Sequence, residues 1–128
     1  FLLDTGSSGA VTVHSPAVKK LKLLENRKTD ATGFGGVGGI HAARNGSIDK
    51  FTLCGMTLKE VKATFSQAEK GALSEETCQG TIGLELISKF RLIVDYGKRQ
   101  VALIPREESP RIARCRVIFQ GVIGDGCV

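Results

Sequence analysis

The sequence predicts an all-β domain with one or two short helices. Sixteen glycines among 128 residues are typical of a chain with many turns rather than of a helical bundle. Two segments, 48–53 and 58–65, alternate apolar and polar residues with the period of a half-buried strand. A chain of this length can bury a core of its own, so we expect one domain.

The composition argues against several classes of protein. No apolar run approaches the roughly 20 residues that a membrane helix needs. The net charge is +5, but the basic residues of segment 19–28 have no aromatic residues among them, which favours a solvated face over nucleic-acid binding. No C-x-x-C pair occurs and neither histidine lies near a cysteine in the sequence, so we expect no zinc site. We also expect no cofactor. The sequence leaves open whether the four cysteines form disulfides: Cys54, Cys78, Cys115 and Cys127.

The first third of the chain predicts two strands, a helix and a hairpin. Phe1-Leu2-Leu3 indicates a buried strand, and 10–13 indicates a second one. Ser15-Pro16 is a helix-start signal, and apolar residues recur at helical spacing as far as Leu24, so a helix is expected over about 16–24.

The glycines of segment 32–40 match G-x-G-x-x-G at Gly33, Gly35 and Gly38. A dinucleotide site also needs a helix after this motif and an acid about 20 residues further on, and the sequence offers neither. A β-hairpin with a mobile tip is the favoured interpretation.

The rest of the chain predicts further strands. We expect a turn at Gly55-Met56, a loop over 67–79, a strand at 80–83 and a short helix with Leu84, Ile87 and Phe90 on its buried side. Two strands follow, one ending in Asp95-Tyr96 and the other covering 100–104. Residues 106–128 are expected to be a linker or C-terminal extension, in which Val117-Ile118-Phe119 is one candidate strand.

A loop rich in small polar residues, Asp4-Thr5-Gly6-Ser7-Ser8-Gly9, follows the first apolar run. A carboxylate at the end of an apolar strand needs hydrogen-bond partners, because an unpaired buried charge is costly. The hydroxyls of this loop can supply them, and Gly6 permits the close approach of another chain segment. The same residue types also build ordinary turns.

This loop resembles the active-site loop of aspartic proteases of the single-domain, retropepsin-like branch. The glycine-rich hairpin resembles their flap, and segment 80–96 resembles their second half. The resemblance implies a retropepsin-like, closed β-barrel domain over 1–105 that lacks the family's first strand. Because the chain begins inside a strand, we interpret it as part of a longer protein.

The resemblance also implies the site residues and their roles. Asp4, Thr5 and Gly6 would be catalytic, with Thr5 bonding to a second loop and Ser7 to the carboxylate. Substrate would contact Ser7 and the flap, and a strand behind the loop would support it. The flap residues are Phe34, Gly35, Gly36, Val37, Gly38 and Gly39, and the supporting residues are Thr81, Ile82 and Gly83. No metal is implied. Leu84-Glu85 stands where retroviral members carry an arginine, which leaves substrate choice open.

The implied activity is that of an aspartic endopeptidase acting on polypeptides. Two carboxylates sharing one proton activate water and protonate the product. The sequence has one Asp-Thr-Gly, so the second must come from a homodimer partner or from a related domain elsewhere in the full chain. One alternative is an inactive dimerisation or peptide-binding module. Another is a serine hydrolase using Ser7 or Ser8 with His14, although G-x-S-x-G is absent.

Overall fold

A computed structural model describes residues 1–36 and 39–106 of the chain. These residues form eight strands, two short helices and a 3-10 helix at Ala72–Ser74. No helix in these two segments is long and apolar enough to cross a membrane. The strands are β1 (Leu2–Leu3), β2 (Val11–Val13), β3 (Asp30–Gly36), β4 (Gly39–Leu53), β5 (Met56–Ser66), β6 (Gly80–Ile82), β7 (Phe90–Asp95) and β8 (Gln100–Pro105), and the helices are α1 (Ser15–Lys20) and α2 (Leu84–Ile87).

Six strands form one sheet in the order β1-β6-β2-β5-β4-β3, and β7 and β8 form a separate antiparallel pair. β1 runs parallel to β6 and β2 runs parallel to β5, while the other neighbours are antiparallel. The prediction of a closed barrel is wrong for the described part of the chain. Closure requires the two edge strands to pair, but β1 is two residues long and pairs with β6 alone. The sheet is nevertheless curled, as a contact between distant strands shows. The Phe1 ring, next to the edge strand β1, packs edge-to-face against Phe51 of β4, with the ring centroids 5.6 Å apart.

The core lies between the six-stranded sheet and the β7–β8 pair. Its most deeply buried side chains come from β2, β5, α2 and β8: Val11, Phe65, Leu86, Val101 and Leu103. Two predictions of burial are wrong. Phe1 and Leu2 are each 55% exposed, because β1 is an edge strand. Leu84, the first residue of the four-residue helix α2, is also exposed, so Leu86 and Ile87 form the buried side of this helix together with Phe90 of β7.

Helix α1 ends at Lys20, four residues before the predicted end. Lys22 has a φ of 51°, in the left-handed region. The Leu23 N–H donates to the Val18 carbonyl and the Lys22 N–H to the Lys19 carbonyl, which together form a Schellman motif. That motif usually carries glycine at the left-handed position. Because lysine occupies it here, the sequence contains no stop signal.

The β4–β5 turn is formed by Cys54 and Gly55, one residue earlier than predicted. Leu53 pairs with Met56, and the two turn residues have φ values of 52° and 76°. Positive φ at both central residues identifies a type I′ turn, whose twist matches that of the flanking strands. The half-buried Cys54 therefore lies in a turn and not in a strand.

The basic segment 19–28 is only partly a solvated face. Lys19, Lys20 and Lys22 are exposed, as expected. Arg27 differs, because its guanidinium donates to the Leu23 and Ser47 carbonyls and lies 5.3 Å from the centre of the Phe65 ring. This side chain therefore fastens the segment after α1 to the central strands. A long side chain can do this by burying its stem while its charged head finds acceptors.

Candidate active site

Asp4 directly follows strand β1 and begins a turn at the edge of the sheet. The Asp4 N–H donates to the Ile82 carbonyl at 2.9 Å. The Gly6 N–H donates to Asp4 Oδ1 at 2.8 Å, which forms an Asx-turn and fixes the direction of the carboxylate. Asp4 is half-buried, while Thr5 and Gly6 are exposed. The predicted acid is thus held by main-chain contacts and remains accessible.

The strand end Ile82-Gly83 lies directly behind this loop. The Gly83 N–H donates to the Ala10 carbonyl at 2.9 Å, and the Leu84 N–H donates to the Ser7 carbonyl at 2.7 Å. A Cβ atom at Gly83 would lie 2.2 Å from the Gly9 carbonyl oxygen and 2.7 Å from that of Ser7. Only glycine allows such an approach. The structure therefore brings the predicted catalytic loop and the predicted supporting residues Ile82 and Gly83 together.

The hydroxyls of the loop do not contact the carboxylate. Within residues 1–36 and 39–106, Asp4 accepts a side-chain hydrogen bond from the Gly6 N–H only. Ser7 Oγ instead faces Gly83, 3.0 Å from where a Cβ would stand. The side chain of Thr5 has no hydrogen-bond partner within the same segments.

Thr81, the third supporting residue, bonds to His14 rather than to the loop. Its Oγ1 lies 3.1 Å from His14 Nε2, and both side chains are buried. This contact joins β6 to the residue that follows β2. Sequence reasoning missed it, because a single histidine after an apolar strand carries no distinctive signal. A polar Thr81 stands at this strand position because it has a buried partner.

The His14 contact also bears on the serine hydrolase alternative. Within the described segments, no hydrogen bond joins Ser7 or Ser8 to His14, whose Nε2 is occupied by Thr81. A serine nucleophile needs an adjacent base to accept its proton. This arrangement lacks that pair, so the serine hydrolase hypothesis has no geometric support.

Burial lowers the pKa of His14 from its ordinary value of 6.5. The nearby main chain of Cys78 partly opposes this effect. Nδ1 is buried and has no hydrogen-bond partner in the described part of the chain. The ring therefore stays neutral in the folded protein at a pH where it would be protonated in the unfolded chain.

We expect acid to destabilise the fold through His14. Because the folded-state pKa is the lower one, the unfolded chain binds more protons as the pH falls through 6.5, and the free energy of unfolding decreases. Urea denaturation at pH 7.5 and pH 5 should show this decrease in the wild type and a smaller one in His14→Gln. His41→Gln on β4 is the matched control and should behave as wild type. An identical decrease in all three proteins would refute the role of His14.

The glycine-rich segment forms the β3–β4 hairpin. Gly33 pairs with Ala42, Phe34 with His41 and Gly36 with Gly39. This pairing excludes the strand–turn–helix arrangement of a dinucleotide site. Two of the predicted flap residues, Val37 and Gly38, lie outside the described residues, as do Cys115, Cys127 and the candidate strand at 117–119.

The hairpin lies at the opposite edge of the sheet from β1. Within the described segments, no hydrogen bond connects it to the Asp4 loop. Its Ile40 side chain is 84% exposed. The predicted role of these hairpin residues in substrate binding therefore stays a prediction.

No group of three or more His, Cys, Asp or Glu side chains in segments 1–36 and 39–106 could hold a metal ion. At the candidate site the structure presents the Asp4 carboxylate with the Gly6 N–H as its main-chain donor. The Asp95 carboxylate has a structural partner, since it accepts a hydrogen bond from the Lys98 N–H at 2.9 Å in the β7–β8 turn.

Comparison with known families fits this geometry. Residues 1–86 match the family described as aspartyl protease. The chain belongs to the aspartyl protease family. A solved retropepsin-like aspartic protease from Rickettsia conorii shares the fold of this family member, with a TM-score of 0.50 and 19% identity. The match covers 73% of this chain and 64% of that one, so the chain spans less than two thirds of that protein. No curated protein matches the sequence.

Proposed function

We propose that the chain supplies half of an aspartic endopeptidase that hydrolyses peptide bonds with water. The observation that supports this most directly is the setting of Asp4. Its carboxylate is oriented by the Gly6 N–H at 2.8 Å, and its loop rests on Gly83, in a chain of the aspartyl protease family. No other aspartate of the sequence belongs to an Asp-Thr-Gly loop.

The chemistry requires two such loops. One carboxylate removes a proton from water as it attacks the peptide carbonyl, and the other, protonated, donates a hydrogen bond to the carbonyl oxygen. They share one proton because like charges about 3 Å apart do not both ionise. The departing amine is protonated in the second half of the reaction. Asp4 performs both roles when it meets a second Asp4.

The second loop comes from another copy of the chain related by a two-fold axis, or from a related domain of the full protein. Exposure of the loop supports such pairing. Thr5 and Gly6 are exposed beside the half-buried Asp4. The Thr5 hydroxyl is then available to bond to the opposite loop.

The β3–β4 hairpin acts as a flap in this proposal. Phe34, Gly35, Gly36, Val37, Gly38 and Gly39 line the peptide, together with Ser7 of the loop. An apolar side chain that is 84% exposed, Ile40, is consistent with a hairpin that covers a ligand. Closure of the hairpin over bound peptide excludes water from the reacting bond.

The proposal is tested by cleavage of an unstructured protein across a dilution series. We expect cleavage that is inhibited by pepstatin and not by a serine-directed reagent. In a homodimer, the activity per chain should fall on dilution as the loops separate. Activity per chain that stays constant while the measured mass is monomeric would contradict the homodimer. If the chain binds the unstructured protein but does not cleave it, the inactive peptide-binding module is favoured.

A further inference from the structure

A pocket of about 250 Å³ with both polar and apolar walls lies beside the Asp4 loop. Its walls continue the segments that build the candidate site. Residues 9–11 are the end of the catalytic loop and the two residues after it, and Glu85 lies on α2, two residues after Gly83. The remaining walls are residues 45–46 of β4 and 62–64 of β5. The pocket therefore lies between the loop, its support and the strand that carries the glycine-rich hairpin.

The side chains of the pocket offer both donors and acceptors. Lys62 Nζ lies 3.0 Å from Glu85 Oε1, and the Thr64 hydroxyl donates to Asn45 Oδ1 at 2.9 Å. Lys62 has three N–H groups and needs only one for this pair, and Glu85 has a second oxygen. The amide N–H groups of Asn45 have no partner in the described part of the chain. These groups remain available to a ligand.

The pocket is within reach of a peptide bound at Asp4. Gly9 lies five residues after Asp4, so their Cα atoms are at most about 19 Å apart, at 3.8 Å per residue. An extended peptide covers that distance in five or six residues, at about 3.3 Å each. A peptide bound at Asp4 is thus long enough to extend to the pocket.

We propose that this pocket holds an asparagine or glutamine side chain of the polypeptide substrate, within about five residues of the cleaved bond. The inference rests on the proposed function. A carboxamide donates to Glu85 while it accepts from Lys62 or Asn45. An acidic side chain meets the charge of Glu85 and a basic one that of Lys62, while an apolar one offers no partner to the unused donors and acceptors of these groups.

The test uses peptides that differ at one position, scanned along both sides of the cleaved bond. At the responsive position, we expect the wild type to cleave the glutamine peptide about tenfold faster in kcat/KM than the methionine peptide of similar size. Lys62→Met leaves Glu85 alone and should shift the preference to lysine. Glu85→Gln leaves Lys62 alone and should shift the preference to glutamate. A merely structural role for the pair would not produce opposite charge preferences.

Both substitutions are at exposed positions and remove a surface ion pair, which contributes little to stability. Lys59→Met, on the same strand but outside the pocket, is the matched control and should keep the wild-type preference. If the wild type cleaves peptides but all three variants keep its preferences, the pocket inference is overturned and the proposed function stands.

If the wild type cleaves none of the peptides, a second measurement tests the pocket. Binding of the same fluorescent peptides is then measured on Asp4→Asn with and without the two pocket substitutions. Opposite charge preferences in binding would support the pocket although the proposed hydrolysis had failed. Equal binding of all peptides, or none, would overturn the pocket as well.

Discussion

Asp4→Asn should abolish proteolysis and leave the fold intact. The amide cannot accept the proton of the attacking water or share a proton with a second carboxylate, so we expect kcat/KM to fall by about 10³-fold or more. Its oxygen can still accept the Gly6 N–H, which replaces the contact that orients the carboxylate. The measurement combines peptide cleavage with circular dichroism and thermal unfolding.

Asp49→Asn is the control for this substitution. It makes the same chemical change at an exposed position of β4, away from the loop, and should retain wild-type activity. Asp4→Asn protein that is folded and turns over substrate at the wild-type rate would disprove the mechanism. Equal losses in both variants would point to a general effect of charge and not to catalysis by Asp4.

Gly83→Ala should be the most destabilising substitution of a single methyl group near the site. The new Cβ would stand 2.2 Å from the Gly9 carbonyl oxygen, and a main-chain atom cannot move aside as a flexible side chain can. We expect the free energy of unfolding to fall by about 3 kcal/mol. Activity should fall too, because the loop that carries Asp4 must shift. Urea denaturation and peptide cleavage measure the two effects.

Gly9→Ala tests whether the effect is specific to Gly83. A Cβ at Gly9 meets nothing within 4 Å, although this residue lies in the same contact. Its free energy of unfolding should stay within about 0.5 kcal/mol of the wild type. If both alanine variants are equally stable, the close packing behind the loop does not constrain the fold.

Alternation and glycine content predicted most of the strands correctly. Strands β5, β7 and β8 follow local patterns, and such patterns specify which residues can form a half-buried strand. The end of α1 was not predictable in the same way, because Lys22 adopts the conformation that glycine usually signals. The sequence likewise did not predict that the sheet is open, because closure of a sheet depends on pairing between strands that are distant in the chain.

The candidate site was only partly predictable. The Asp4 loop and Gly83 could be named from the sequence because both lie in short motifs that resemble those of the aspartyl protease family. The bond from His14 to Thr81 joins residues 67 positions apart, and neither has a distinctive neighbourhood. The Lys62–Glu85 pair was missed for the same reason, since β5 and α2 meet only in the folded chain.

The catalytic loop and the strand end Ile82-Gly83 behind it contact each other through main-chain atoms. Three hydrogen bonds connect them without any side-chain group: the N–H groups of Asp4, Gly83 and Leu84 donate to the carbonyls of Ile82, Ala10 and Ser7, respectively. The position of the carboxylate is consequently insensitive to the identity of most residues around it, Gly83 excepted. Such a site can exchange the side chains that face a ligand without rebuilding its frame. A library randomised at Ser8, Leu84 and Glu85 should therefore contain many folded members, which makes this edge of the sheet a practical place to alter selectivity.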